Sequence, residues 1–375
     1  MRNQRDQYTV GVLPLSSDRA TRRKVLLDCD TGIDDSLALC YLLARDDVDL
    51  LGIACTAGNV PVDAVVRNNQ GWLELTGNTG IPIARGSEQP LACALMTCED
   101  THGPEGVGYA HLPPGRNPLD SRSAAQLWVD TVRAYPGEVT GIVIGPTTNL
   151  ALALDLEPDL PRLLKTLVIM GGAINHRGNT MPTTEWNVAV DPEALARVID
   201  AFSVLPPQRL PILAPLDATE RIELLPEHLD ALAPTGQDGT PLPESEVLTA
   251  LRDAFRFYFA FHEADGLGYL AHAHDPFVTA VATTLSESGK TPFARTTPVA
   301  VGVELIGTLT RGQVVADWLG RWNKPATLRI LVNPNPEAFF VHLTDTVRPW
   351  LADQAQSASS GYNPSPLAPA PRDYR

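Results

Sequence analysis

Short apolar segments alternate with amphipathic segments between residues 24 and 213, and this alternation is the strongest constraint on the fold. Near-continuous apolar strands separated by helices of about 10–15 residues are typical of a mostly parallel sheet covered by helices on both faces. We therefore predict an α/β fold. The predicted strands are 24–29, 49–56, 81–85, 139–144, 166–170 and 210–213, and the predicted helices are 34–45, 61–77, 123–135, 148–155 and about 191–201.

The pattern changes after about residue 225, where three consecutive helices are predicted at 226–233, 244–263 and 275–285. We interpret them as a helical insertion over the active-site edge of the sheet. Strands near 296–307, 312–317 and 326–331 and a helix at 336–350 follow. A single α/β domain is expected over 24–351, after a flexible leader at 1–23. Residues 352–375 are rich in Ala, Ser and Pro, which predicts a disordered tail.

Composition excludes several classes of partner. A formal net charge of −15 argues against an extended surface for nucleic-acid phosphates. Five cysteines without paired spacing are typical of reduced thiols in a cytosolic protein. No segment resembles a secretion signal or reaches the roughly 18 apolar residues of a membrane span. We expect a cytoplasmic protein that binds neither nucleic acid nor membrane.

Four aspartates lie within eight residues, at the junction of the first predicted strand and helix. Asp28 and Asp30 end the strand, Gly32 interrupts it, and Asp34 and Asp35 begin the helix. In open α/β sheets, ligands bind at the carboxyl edge of the strands. Carboxylates this close repel one another unless a cation is present, and hard oxygen ligands suit Ca²⁺ or Mg²⁺ rather than zinc. The cluster therefore predicts a metal site.

Other readings of this cluster are open. Asp34 and Asp35 could simply stabilise a helix N-terminus, although that leaves Asp28 and Asp30 unexplained. An Asp-x-Asp after a strand also resembles the haloacid-dehalogenase-type phosphatases, with Asp28 as nucleophile. That family prefers Thr or Val two residues after the second aspartate, where this chain has Gly32.

Further polar motifs follow later strands, and their combination resembles the inosine–uridine-preferring nucleoside hydrolases. The resemblance extends from about Lys24 to Leu351. Seven motifs occur in that family's order: Asp28-x-Asp30-x-Gly32-x-Asp34-Asp35, Gly58-Asn59, His102-Gly103-x-x-Gly106, Gly145-Pro146-x-Thr148-Asn149, Met170-Gly171-Gly172, Glu185-Trp186-Asn187 and His274-Asp275-Pro276. The resemblance implies Ca²⁺-dependent hydrolysis of the N-glycosidic bond of a small ribonucleoside, giving ribose and a free base. It also implies a homodimer or homotetramer.

The resemblance also assigns residues. It implies that Ca²⁺ is held by Asp30, Asp35, Asp275 and the main-chain oxygen of Ile144, with Asp30 as the general base. His102 and His274 are implied as catalytic residues beside the 5′-hydroxyl and the leaving base. The implied substrate-binding residues, which grip or flank the ribose, are Asp34, Asn59, Met170, Asn179, Glu185 and Asn187.

These residue types suit the chemistry. Cleavage passes through an oxocarbenium-like ribosyl group, which nearby carboxylates stabilise. A histidine can protonate or hydrogen-bond the leaving base near neutral pH.

A non-catalytic Ca²⁺-dependent nucleoside-binding protein is the alternative function of a different class. Asn149 is interpreted as a helix cap, His272 as directed away from the site, and Tyr258 as part of either a lid or a buried helix face.

Overall fold

The computed structural model describes residues 22–236 and 239–360. An eight-stranded sheet has the strand order β3-β2-β1-β4-β5-β6-β12-β9. All neighbours are parallel except the pair β12 and β9. The strands of this sheet are β1 (Arg23–Cys29), β2 (Val48–Cys55), β3 (Ile83–Arg85), β4 (Val139–Val143), β5 (Thr166–Met170), β6 (Ile212–Ala214), β9 (Arg295–Val299) and β12 (Leu328–Val332). The predicted α/β class with a mostly parallel sheet is confirmed.

Two short antiparallel pairs of strands lie outside this sheet. The strand predicted at 296–307 divides at Ala300, so that its second part leaves the main sheet. The four short strands are β7 (Glu223–Leu224) paired with β8 (Ala271–His272), and β10 (Val301–Val303) paired with β11 (Val314–Ala316).

Helices cover both faces of the sheet. The helices are α1 (Ile33–Leu43), α2 (Val62–Leu75), α3 (Glu99–His102), α4 (Ala124–Ala134), α5 (Thr148–Leu156), α6 (Leu160–Leu163), α7 (Trp186–Val190), α8 (Pro192–Phe202), α9 (Leu216–Thr219), α10 (Pro226–Asp230), α11 (Glu246–Ala264), α12 (His274–Thr284) and α13 (Pro336–Ser360). None of the helices in the described ranges is both long and apolar enough to span a membrane.

Strand alternation divides the core into two apolar layers. In β1, Val25, Leu27 and Cys29 pack on one side with α1, α2, α11, α12 and α13. Leu26 points to the other side, where α4, α5 and α8 pack. This is the two-residue period expected of a strand that is buried on both faces.

The strand order places a topological switch point at β1, because β2 and β4 flank it on opposite sides. In such sheets the crevice at the carboxyl ends of the central strands is the usual ligand site. The aspartate-rich segment after β1 and the turn after β4 meet at this crevice. The N-termini of α1 and α12 also face it, since Asp34 and Asp35 begin α1 and His274 begins α12.

The C-terminal helix is longer than predicted. It continues from Pro336 to Ser360, past the predicted end at residue 350, and Leu351 is fully buried against the core. The prediction of a disordered tail is therefore wrong for residues 352–360. Alanine and glutamine there favour helix more strongly than the overall Ala/Ser composition suggests. Residues 361–375 and most of the predicted leader, 1–21, lie outside the described residues, and the domain boundaries stay a prediction.

Candidate active site

Four buried carboxylates meet at the switch point. Asp30, Asp34 and Asp35 follow β1, and Asp275 is brought to them by the N-terminus of α12. Their exposed fractions are 0, 4, 1 and 4 %, respectively. Carboxylates are almost never buried to this degree unless they are paired or coordinate a metal. The segment that carries them is therefore unlike an ordinary solvated helix start.

Protein donors satisfy only part of this cluster. The Asn59 backbone N–H donates to Asp30 Oδ2 at 2.8 Å, and the Gly32 N–H donates to Asp35 Oδ2 at 2.8 Å. The Asn59 side-chain amide also donates to Asp35 Oδ2, at 3.2 Å. The Oδ1 atoms of Asp30 and Asp35 are buried, and no hydrogen-bond partner reaches either of them from residues 22–236 or 239–360. Two orphaned carboxylate oxygens in a dry cluster are what a hard cation would satisfy.

Burial and mutual repulsion raise the pKa of every carboxyl group in the cluster. Desolvation, followed by the charge of Asp35, raises the pKa of Asp34 to about 8 and that of Asp30 well above its ordinary value. Desolvation raises the pKa of Asp35 to about 6 despite its hydrogen bond from Gly32. The pKa of Asp275 is also well above its ordinary value, through burial and its acidic neighbours. The cluster on its own therefore retains protons near neutral pH, and a cation would displace them.

The donor set fits a calcium-type ion, with one difference from the prediction. One carboxylate oxygen each from Asp34, Asp35 and Asp275 lies within 4.8 Å of the others. The predicted ligand set instead contains Asp30, together with the Ile144 carbonyl. That carbonyl lies at the site, where it accepts a 2.9 Å hydrogen bond from Asn187 Nδ2. Both sets offer only oxygen ligands, as Ca²⁺ prefers.

Glycines allow the loops to close over Asp30. A side chain at Gly145 would place its Cβ 2.7 Å from Asp30 Oδ1, and one at Gly58 would collide with Asp30 Oδ2. The Gly-Asn and Gly-Pro motifs therefore bring two turns against the same carboxylate. This close approach explains a glycine at both positions.

A polar cavity opens above the carboxylates. Asp30 and Asp35 are not among the described residues that line it, but both accept hydrogen bonds from the lining residue Asn59. The other predicted site residues line the cavity: Asp34, Asn59, His102, Ile144, Met170, Asn179, Glu185, Asn187, His274 and Asp275. The structure thus brings together residues from α1, the turns after β2 and β4, β5, α7 and α12 that are far apart in the sequence.

Two of the residues predicted to bind ribose, Glu185 and Asn179, accept hydrogen bonds from backbone N–H groups. Glu185 caps α7, and its carboxylate accepts N–H bonds from Gly172, Asn187 and Val188 at 2.8, 2.8 and 3.1 Å. Asn179 Oδ1 accepts the N–H of Trp186 at 3.0 Å. Because both carboxylate oxygens of Glu185 accept backbone N–H groups, this side chain fixes the shape of the loop.

The two predicted catalytic histidines are neutral and firmly held. The Ile33 backbone N–H donates to His102 Nδ1 at 3.1 Å, so the ring proton is on Nε2. Burial lowers the pKa of His102 to about 3. His274 Nδ1 lies 2.8 Å from the hydroxyl of Thr219, and burial lowers the His274 pKa well below its ordinary value.

A continuous series of aromatic rings forms one wall of the cavity. The series runs from His102 through Tyr258, His262 and His272 to His274, with centroids 5.5, 4.5, 5.1 and 5.5 Å apart. The interpretation of His272 as directed away from the site is wrong, because its ring lines the cavity. His272 lies on β8, and the pairing of β8 with β7 fixes the orientation of its side chain. The local sequence does not reveal this pairing.

Tyr258 lines the cavity, whereas its neighbours Phe255 and Phe259 on α11 are buried in the core. The helix thus serves both as lid and as core element. Its Tyr258–His262 pair has the i,i+4 spacing of a single helix face, which is the sequence signal that could have identified His262. Charged groups, Arg177 and Glu220, also line the cavity and pair with each other at 3.1 Å.

Asp28 belongs to a separate buried network. Trp128 Nε1 donates to its Oδ2 at 2.7 Å, and Asn149 Nδ2 donates to its Oδ1 at 2.9 Å. Asn149 also donates to the carbonyl of Cys55 at 3.1 Å and accepts the N–H of Ser87 at 2.9 Å. Both Asp28 oxygens face these donors, and Asp28 is not among the described residues that line the cavity. These contacts argue against Asp28 as a phosphatase nucleophile.

The interpretation of Asn149 as a helix cap is also wrong. It lies within α5, after the cap residue Thr147, and its amide links the ends of β1 and β2. The partner Asp28 is distant in the sequence, so spacing gave no sign of this bridge. Burial raises the Asp28 pKa to about 7 although both hydrogen bonds oppose the shift.

Two solved nucleoside hydrolases share this architecture. A plant nucleoside hydrolase superimposes with a TM-score of 0.77 at 23 % identity, over 87 % of this chain and 99 % of that chain. A purine-preferring ribonucleoside hydrolase from Gardnerella vaginalis gives 0.76 at 26 % identity, over 88 % and 99 %. The first of these likenesses shows the fold alone.

Sequence comparison identifies the family. Residues 25–341 match the model of the inosine-uridine preferring nucleoside hydrolases. The pyrimidine-specific ribonucleoside hydrolase RihA of Citrobacter koseri is 32 % identical over 316 residues, covering 84 % of this chain and 95 % of that protein. The chain therefore belongs to the inosine-uridine preferring nucleoside hydrolase family, which confirms the resemblance drawn from its motifs. It is a ribonucleoside hydrolase, a glycosidase that acts on the N-glycosidic bond.

Proposed function

We propose that the protein hydrolyses ribonucleosides to ribose and a free base in a Ca²⁺-dependent reaction with Asp30 as the general base. The observation that carries this proposal is the pair of buried, unpartnered oxygens on Asp30 and Asp35 beneath the cavity. Asp30, Asp35, Asp275 and the Ile144 carbonyl would hold the ion. When bound, Ca²⁺ would offset the carboxylate charges and acidify the attacking water.

Asp30 is suited to accept the proton of that water. Its Oδ1 would ligate the ion, whereas Oδ2 accepts only the Asn59 N–H and keeps a second lone pair for the proton of the water. The surrounding carboxylates then stabilise the positive charge that develops on the ribosyl group. Asp34 and Asn59 line the cavity directly above, where they can bind the sugar hydroxyls.

The histidines assist the leaving base by hydrogen bonding. Because burial keeps the pKa values of His102 and His274 low, both rings are neutral at pH 7. His102 carries its proton on Nε2 and is a fixed donor. His274 donates from Nε2 when the Thr219 hydroxyl donates to its Nδ1. A hydrogen bond to the departing base lowers the barrier without the energetic penalty of a buried imidazolium.

A nucleoside panel tests the proposal. Uridine, cytidine, inosine and adenosine are incubated with the protein, and released reducing sugar is measured before EDTA treatment, after it, and after Ca²⁺ is restored. The panel spans both base classes because the relatives are named for pyrimidine and for purine nucleosides. Release that EDTA abolishes and Ca²⁺ restores supports the proposal. Undiminished release after chelation contradicts the metal dependence, and no release from any nucleoside contradicts the activity.

We also propose that the protein is a homodimer or homotetramer and that it is located in the cytoplasm. Light scattering of the purified protein measures its assembly directly. A monomer at all concentrations would contradict the first expectation.

A further inference from the structure

Cys98 is a cavity-lining residue that none of the sequence motifs contains. Its thiol donates a hydrogen bond to Asn59 Oδ1, with 3.3 Å between the sulfur and that oxygen. Its backbone N–H also donates to the Asn59 carbonyl, at 3.0 Å. Two hydrogen bonds therefore join Cys98 to a side chain that is proposed to bind the ribose.

The side-chain amide of Asn59 lies between this thiol and a carboxylate. While Cys98 donates to the amide oxygen, the amide nitrogen donates to Asp35 Oδ2 at 3.2 Å. A rotated amide would direct its oxygen at the carboxylate, where two acceptors repel, and its N–H groups at the thiol hydrogen. Cys98 and Asp35 together therefore select one orientation of the amide.

The remaining hydrogen-bonding capacity of Asn59 suits a sugar hydroxyl. A primary amide has two N–H donors and two acceptor lone pairs, and the contacts with Asp35 and Cys98 use one of each. A hydroxyl group both donates and accepts, so the remaining N–H and lone pair can bind it. Asn59 is 5 % exposed and lines the cavity. An amide that is already oriented avoids the entropic cost of being ordered when the substrate binds.

The thiol is a stable donor in this setting. Burial, and after it the negative charge of Asp30, raises the pKa of Cys98 above its ordinary value. The residue therefore keeps its S–H proton at neutral pH, as a hydrogen-bond donor must.

A backbone contact ties Cys98 to a predicted catalytic histidine. Cys98 is the N-cap residue of α3, and its carbonyl accepts the N–H of His102 at 3.1 Å. A substitution at Cys98 can therefore remove the thiol while the backbone contacts with Asn59 and His102 are kept.

We propose that Cys98 is a positioning residue for the reaction, whose S–H group holds the Asn59 amide in the orientation that binds a ribose hydroxyl. The inference rests on the proposed function. It adds to that function a residue that acts on the sugar through Asn59.

Replacement of the thiol tests the proposal. Cys98→Ala removes the donor, so kcat/KM for the nucleoside that wild type cleaves fastest should fall by about threefold to tenfold. Cys98→Ser keeps a donor on a shorter bond, and its kcat/KM should lie between those of wild type and Cys98→Ala. The dissociation constant of ribose, measured by calorimetry in Ca²⁺ buffer, should rise in Cys98→Ala by a factor similar to the loss in kcat/KM.

A double-mutant cycle separates positioning from general damage to the fold. In Asn59→Ala the amide is absent, so a further Cys98→Ala change should alter kcat/KM and the ribose dissociation constant by less than about twofold. A purely structural role of the thiol would cause the same loss with and without the Asn59 amide.

Cys93→Ala is the matched control on the same loop. The Cys93 thiol donates to the Val190 carbonyl at 3.2 Å, and Cys93 is not among the described residues that line the cavity. Its kcat/KM should stay within about twofold of wild type.

Wild-type values of kcat/KM and of the ribose dissociation constant in Cys98→Ala overturn the inference. So does a loss of the same size when Cys98→Ala is added to Asn59→Ala. Failure of the proposed function is a different result, in which the wild-type protein neither releases sugar from any nucleoside nor binds ribose.

Discussion

The two ends of the cavity differ in charge, in origin and in what they can be expected to control. The acid end consists of Asp30, Asp34, Asp35 and Asp275, at the switch point of the sheet and at two helix N-termini. The base end consists of the rings of Tyr258 and His262 on α11, His272 on β8 and His274 at the start of α12, in the segment that follows the main βα series. Under the proposed function, the acid end would provide the chemistry that any ribonucleoside needs, and the base end could vary with the nucleobase without disturbing that chemistry.

This difference predicts how mutations at each end should affect different substrates. Changes at the acid end should reduce activity on all substrates by a similar factor. Changes at the base end should alter the ratio between substrates and spare those whose aglycone needs no help. The acid-end effects should also be the larger ones.

The largest effect is expected from Asp30→Asn. The variant loses both the proposed general base and a charged ligand of the cation. We therefore expect kcat/KM to fall by about 10³-fold or more for uridine, inosine and p-nitrophenyl riboside alike. Steady-state assays on the three substrates measure this. The matched control is Asp46→Asn at an exposed aspartate, which should match wild type. A selective loss on one substrate would contradict the predicted difference between the two ends.

A smaller effect is expected from removal of a sugar hydroxyl. Asp34 and Asn59 are proposed to grip the ribose, and a missing hydroxyl leaves buried polar groups unpaired at roughly 1–3 kcal/mol per group. Inosine should therefore exceed 2′-deoxyinosine in kcat/KM by about 10–100-fold. Asp34→Asn should narrow that ratio. Comparable rates for the two substrates in wild type would remove the sugar-binding role.

At the base end, Thr219→Val should weaken only the assistance that His274 gives to the leaving nucleobase. The change removes the hydroxyl that sets the His274 tautomer, so kcat/KM for inosine should fall about tenfold while p-nitrophenyl riboside is spared. Thr279→Val is the matched control, because none of the residues that the structure describes forms a hydrogen bond with that buried hydroxyl. Equal losses on both substrates would show that Thr219 acts through packing.

The acid end should also make stability depend on pH when no cation is present. The folded-state pKa values of Asp34 and Asp35 are raised, to about 8 and about 6, above the ordinary value near 4. The contribution of these two groups to the free energy of unfolding is complete at a pH below the ordinary pKa. It is lost as the pH rises through their folded-state pKa values. The melting temperature of EDTA-treated protein should therefore fall by several degrees between pH 5 and pH 8.5. Ca²⁺ should reduce this fall, and an identical pH profile with and without Ca²⁺ would count against the site.

The acid end was largely predictable from the sequence because its first three carboxylates are neighbours in the chain. The break at Gly32 between an apolar run and a helix located them at a strand end. The α/β class followed from the alternation of elements for the same reason, since each signal is local. Asp275 and Ile144 came from the family resemblance, as no spacing links them to Asp30.

The base end was not predictable in the same way. His272 faces the cavity because β8 pairs with β7. Asn149 reaches Asp28 because α5 follows β4, which pairs with β1. Both arrangements depend on tertiary structure. His262 lies on a helix whose apolar stripe equally suited a buried face. The length of α13 was missed for a different reason, because helix-forming alanines were counted as low complexity.

Calorimetric titration of Ca²⁺ into EDTA-treated, dialysed protein at pH 7, in buffers of different ionisation enthalpy, tests the central claim most directly. The raised carboxyl pKa values mean that the cation-free cluster carries protons, which binding must release. We predict a single Ca²⁺ per chain, net proton release, and loss of binding in Asp35→Asn. Absence of Ca²⁺ binding, or binding that persists unchanged in Asp35→Asn, would contradict the account.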